Sequence, residues 1–95
     1  MTMEKRIITL DLRGVNTMAE LHGLLQYTFD FPAYYGRNWD ALWDCLSCCY
    51  DASTTIELRN LDALPEEMAQ SAEMVRELFE DLHQTDGVMI EMINT

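Results

Sequence analysis

The chain has 95 residues, with 17 acidic and 6 basic side chains for a formal net charge of −11, 48% apolar residues and a mean hydropathy of −0.15. That apolar content excludes disorder, and the length fits one small domain hiding about 60–65% of its unfolded surface. The charge argues against direct binding of nucleic-acid phosphates and against a basic membrane anchor, and makes a basic macromolecule the expected partner.

From Lys5 to Leu12 the sequence alternates and carries β-branched Ile7, Ile8 and Thr9, which predicts a strand. The N-terminus, Met1 to Arg6, runs into this alternation with no signal-peptide core, and no stretch approaches the ~20 apolar residues of a membrane helix, so the chain reads as cytoplasmic. Arg13-Gly14-Val15-Asn16 supplies a turn. Thr17 and Glu20 then stand three apart as a capping box, ahead of a helical stripe of Met18, Leu21, Leu25 and Thr28 or Phe29, widened by Leu24. Pro32 ends that helix, because the residue ahead of a proline is pushed out of the helical region.

Phe31-Pro32-Ala33-Tyr34-Tyr35-Gly36 is a loop with three aromatic residues, which predicts that it touches something. Asn38 caps a second helix whose apolar face is Trp39, Leu42, Trp43 and Leu46. Thr54 to Arg59 is β-branched and strand-like. Leu61, Leu64 and Met68 around Pro65 suggest a short helix or turn. A longer helix from about Ser71 to Gln84 buries Val75, Leu78, Phe79 and Leu82, and Asp86-Gly87 stops it before a last strand at Val88 to Ile93. Strands alternating with helices predict an α/β fold, a three-stranded parallel sheet with right-handed crossovers under three to four helices, in one domain covering residues 1–95.

The charge is unevenly placed. Residues 1–50 carry a net −2 and residues 51–95 a net −9. Glu66, Glu67, Glu73, Glu77, Glu80, Asp81 and Asp86 lie near the last helix, and spacings of four between Glu73, Glu77 and Asp81 put like charges on one face. For most of these acids a solvated, solubilising helix face is sufficient explanation. The second helix is different. Asp40 suits the helix dipole as a first-turn acid, but Asp44 lies beyond the first turn, beside Trp43 and downstream of Tyr34 and Tyr35. Rings interleaved with carboxylates suit an interface for Arg and Lys side chains, since the rings give rigid apolar area and the acids pair with cations.

The block Phe31-Pro32-Ala33-Tyr34-Tyr35-Gly36-Arg37-Asn38-Trp39-Asp40-Ala41-Leu42-Trp43-Asp44-Cys45-Leu46-Ser47 resembles the barstar family of intracellular ribonuclease inhibitors. Weaker matches at Leu21-His22, Glu57-x-Arg59 and Leu78-Phe79 extend the resemblance over nearly the whole chain without a gap. It implies a three-stranded parallel sheet with helices, and a non-enzymatic inhibitor that plugs the basic cleft of a secreted ribonuclease similar to barnase. A 1:1 complex, a free monomer, no membrane and no cofactor or metal are implied as well. The positions matching family contacts are Tyr34, Asn38, Asp40, Trp43 and Asp44, with the Asp44 carboxylate in the phosphate site; Asp81 falls at an acidic contact, one methylene shorter. Cys48 and Cys49 stand where the namesake has glycine and tryptophan, and Arg37 where it has an acid. These departures point toward a toxin ribonuclease other than barnase, with this chain as its immunity protein.

Two other readings compete. Cys45-Leu46-Ser47-Cys48 has Cys-x-x-Cys spacing, but Cys45 comes two turns into its helix rather than at an exposed N-terminus. A zinc site would need Cys49, His22 or His83 from segments without ligand-like spacing, so the three cysteines read as reduced thiols. Alternatively, the last helix mimics a nucleic-acid backbone for another basic protein, in which case Glu73, Glu77 and Glu80 would matter more than Asp44. Paired acids on one helix, with no nearby Ser, His or Lys, are poor evidence of catalysis. His22 is expected to cover apolar surface on the first helix, and Trp39 to be either partly buried or an exposed anchor.

Overall fold

A computed structural model describes residues 6–94. Residues 1–5, which include Lys5 at the start of the predicted first strand and most of the stretch read as lacking a signal core, lie outside the described residues. The elements follow in the order β1 (Arg6–Asp11), α1 (Met18–Phe29), α2 (Trp39–Cys49), β2 (Thr54–Arg59), two 3-10 turns (Leu61–Ala63 and Glu66–Met68), α3 (Ala69–Asp86) and β3 (Met89–Ile93). The three strands are parallel and ordered β1-β2-β3. This is the predicted α/β arrangement.

Strand periodicity decides which face is buried. Leu10, Ile56 and Leu58 are essentially inaccessible, with Ile8 and Ile90 packed against the core on the same face. The alternate residues form the other face, where Ile7 is 63% and Met89 50% exposed and Glu57 accepts from Thr9 and Arg59. A parallel sheet commonly has both faces covered. Here α1 packs on β1, α3 on β3 and α2 against α3, and no helix among the described residues covers the face opposite the core.

The helix boundaries have local causes. Thr17 Oγ1 accepts from the Glu20 backbone N–H at 3.1 Å, as a capping box requires, but the Glu20 carboxylate accepts from the Asn16 N–H at 2.9 Å, one residue earlier than the standard box. At the other end Asp30 is left-handed (φ 55°), and its N–H and that of Phe31 close back onto the last turn of α1. The third helix starts at Ala69, two residues before the predicted position, because the chain leaving Pro65 is already wound into a 3-10 turn. It stops at Gly87, whose φ of 75° favours a residue without Cβ.

Candidate functional site

The aromatic loop between α1 and α2 divides by residue. Phe31 and Tyr35 turn inward, 7% and 6% exposed, with ring centroids 4.9 Å apart and Phe31 stacked on Phe29. Tyr34 turns outward and is 87% exposed. Two of the three loop aromatics therefore serve the core, and one is left on the surface. The anchor beneath is His22, 5% exposed, whose Nδ1 lies 2.7 Å from the Tyr35 hydroxyl and whose ring packs on Trp39. Burial is the main cause that pushes the His22 pKa down, with the Arg37 cation adding to it. Burial likewise pushes the Tyr35 phenol up to about 12. Both are neutral at pH 7, and the His22 tautomer sets which of the two donates in this bond. The sequence reading gave His22 a covering role; its bond to Tyr35, 13 residues away, depends on tertiary placement.

The loop is further tied by Gln26, whose amide donates to the Pro32 carbonyl and accepts from the Arg37 guanidinium. Arg37 is held at φ 51°, a left-handed conformation uncommon for a residue with a Cβ. Its guanidinium donates to Gln26 of α1, and no ion pair joins it to Asp40 or Asp44 among the described residues.

From this stitched loop α2 emerges. The Asn38 side-chain oxygen accepts from the Ala41 N–H at 2.8 Å while its amide nitrogen donates to the Gly36 carbonyl. Asn38 thus has a structural task that occupies its oxygen, whatever else it touches. Leu42 and Leu46 are fully buried, Trp39 and Trp43 half-buried, and Asp40 and Asp44 stand exposed one turn apart on the outer ridge.

A groove flanks each side of that ridge. On the α3 side a depression of about 200 Å³ is lined by Trp39, Asp40, Trp43, Met74, Glu77, Leu78 and Asp81. On the loop side a larger one of about 430 Å³ is lined by Tyr34, Asp44, all three cysteines and the rings of Phe29, Phe31 and Tyr50. The structure thus brings Asp40, Trp43 and Asp81 together in one groove and Tyr34 and Asp44 in the other, with Asn38 at the N-terminal end of the ridge. Sequence reasoning omitted Glu77 from this set; its four-residue spacing to Asp81 was the available signal. Trp39 is partly buried and still lines the groove, so the two expected alternatives for it coexist.

Among the described residues the ion pairs join Arg13 to Asp11, Arg59 to Glu57, and Arg76 to Asp62 and Glu73. None includes Asp40, Asp44, Glu77 or Asp81. Among the described residues, then, Asp40, Glu77 and Asp81 beside Trp39 and Trp43, and Asp44 across the ridge, have no ion-pair partner, which makes the surface complementary to basic, planar side chains such as Arg. The cysteines form no disulfide: Cys45 is half-buried, with its thiol pushed up first by burial and then by Cys49, Asp44 and Cys48, while Cys48 and Cys49 are exposed. The described residues contain no group of three or more His, Cys, Asp or Glu placed to hold a metal, and no helix long and apolar enough to cross a membrane.

The chain is similar to known proteins along nearly its whole length. The family model described as "Barstar (barnase inhibitor)" matches residues 5–92. A Bacillus subtilis (strain 168) protein named "Putative ribonuclease inhibitor YrdF" is 37% identical over 90 residues, covering 90% of this chain and 99% of that protein.

Proposed function

The chain belongs to the barstar family, and from that premise we propose that it is a ribonuclease inhibitor that docks the α2 ridge into the basic active-site cleft of its target. Asp44 takes the place of a substrate phosphate among the cleft's cations, Tyr34 covers one side, and Asp40, Trp43 and Asp81 receive a basic side chain on the other. Asn38 holds the helix that presents them. The protein acts as a single domain in a 1:1 complex, without catalysis of its own, in the cytoplasm of the cell that makes the ribonuclease and is protected from it.

The observation that carries this reading is that, among the described residues, these carboxylates have no ion-pair partner and lie with half-buried tryptophans around a helix whose N-terminus is held by the Asn38 cap. An array held by capped, packed elements needs little further ordering on binding. The remaining charge, concentrated in residues 51–95, accelerates approach of a cationic partner. Titrating the purified protein into a fixed amount of a barnase-type ribonuclease tests the reading. A linear loss of RNA cleavage reaching zero at one equivalent supports it. Undiminished cleavage at large excess, repeated across the ribonucleases encoded beside this chain's own gene, contradicts it.

A further inference from the structure

The groove beside Asp44 contains chemistry that docking does not use. Cys48 and Cys49 are exposed at the end of α2 and line it together with half-buried Cys45. Its volume of about 430 Å³ falls in the range that takes small molecules. Its walls include the Phe31 and Tyr50 rings, and two opposite charges, Arg6 and Asp30, also line it. The Arg6 guanidinium lies 6.0 Å from the Tyr50 ring centre. An apolar floor with one cation, Arg6, and two anions, Asp30 and Asp44, suits a small thiol of the peptide kind that carries a carboxylate to pair with Arg6 and an amino group to pair with Asp30 or Asp44.

We propose that Cys48 and Cys49 form a thiolation site, and that a low-molecular-weight peptide thiol joined there as a mixed disulfide blocks partner docking. In the reaction the thiolate of Cys48 or Cys49 attacks one sulfur of the small-molecule disulfide. A protein–thiol S–S bond forms as the small disulfide's S–S bond breaks. The second thiol departs as a thiolate and takes a proton from water, so the disulfide is reduced as the cysteine sulfur is oxidised. A reducing dithiol reverses the step. Cys45 is not the target, because it is half-buried and its thiol is held protonated by burial and neighbouring negative groups. The bound thiol fills the groove between Tyr34 and Asp44, so inhibition is strong in the reduced protein and weakened in the modified one.

The consequence for inhibition rests on the function proposed above, whereas the modification itself does not. The test treats the full chain with oxidised glutathione, maps adducts by mass spectrometry of peptides, and then measures inhibition of barnase. Expected are adducts confined to Cys48 and Cys49, and inhibition weakened by about 30-fold or more, the effect of losing one interface hot spot. Dithiothreitol should restore it, and the Cys48→Ser/Cys49→Ser variant should be insensitive to the treatment. Adduct chiefly on Cys45, an internal disulfide in place of any adduct, or an adduct with unchanged inhibition overturns the proposal. Should the reduced protein fail to inhibit barnase, the docking reading fails for that enzyme, and adduct mapping alone still decides whether the groove is a thiolation site.

Discussion

Removing a single oxygen tests how the docking surface is held. Tyr35→Phe keeps the ring among Phe31 and His22 but deletes the hydroxyl 2.7 Å from His22 Nδ1. Both residues are buried, so water does not readily replace the lost bond, and an unsatisfied buried polar group costs about 1–3 kcal/mol. Taking about 2 kcal/mol, with each kcal/mol worth roughly 4–8 °C in a domain of this size, the melting temperature falls by about 8–16 °C. Thermal and urea unfolding followed by circular dichroism at pH 7.5 measure this. The double variant His22→Leu/Tyr35→Phe separates the bond from packing, because replacing both polar partners removes the orphaned atom. Its loss should be smaller than the sum of the single losses, by about 0.5 kcal/mol or more. A Tyr35→Phe protein within about 0.5 kcal/mol of the parent, or strict additivity in the cycle, would refute the claim that this bond anchors the loop.

Three further outcomes follow from the same structure. Asn38→Ala removes the cap of α2 and should lower stability by about 1 kcal/mol in chemical denaturation of the free protein, before any partner is added. Gly87→Ala places a Cβ at φ 75° and 3.3 Å from the Ala52 Cβ, so it should destabilise by about 1 kcal/mol or more, seen as a lower urea midpoint with unchanged slope. Stability should also fall as the pH drops through the unfolded histidine range near 6.5: the folded His22 pKa is depressed, so below that point the unfolded chain binds the extra proton. A separate loss should begin only near pH 4, where Asp11, lowered chiefly by its bond from Asn60, and Asp51, lowered chiefly by Ser53, become protonated in the unfolded chain. The His22→Leu variant should lose the first phase and keep the second.

Much of the fold was legible because its signals are local. The Thr17 and Asn38 caps, the Leu42 and Leu46 stripe and the Gly87 stop each depend on residues within a turn of one another, and each formed as predicted. The parallel sheet followed from strands separated by helices. What escaped was set by distant contacts. Nothing local distinguishes Tyr35 from Tyr34, yet one is sealed under α2 by His22 and the other faces solvent. Arg37 is close to Asp40 in sequence, yet its guanidinium bonds to Gln26, eleven residues back on α1. The grooves are likewise tertiary: α2 and α3 meet only after both crossovers are made, which is how Glu77 joins Asp40 and Asp81.

The central claim is that function rests on a few carboxylates of the α2 ridge, not on the diffuse charge of α3. Binding kinetics with the cognate ribonuclease, comparing Asp44→Ala with a Glu73→Gln/Glu80→Gln variant, test it most directly. Asp44→Ala should weaken the complex by about 30-fold or more, chiefly through faster dissociation, as expected for a charge desolvated at an interface centre. The α3 variant should slow association and reduce its salt dependence while leaving dissociation nearly unchanged. The opposite pattern, with Asp44→Ala near parental affinity and the α3 variant severely impaired, would contradict the account.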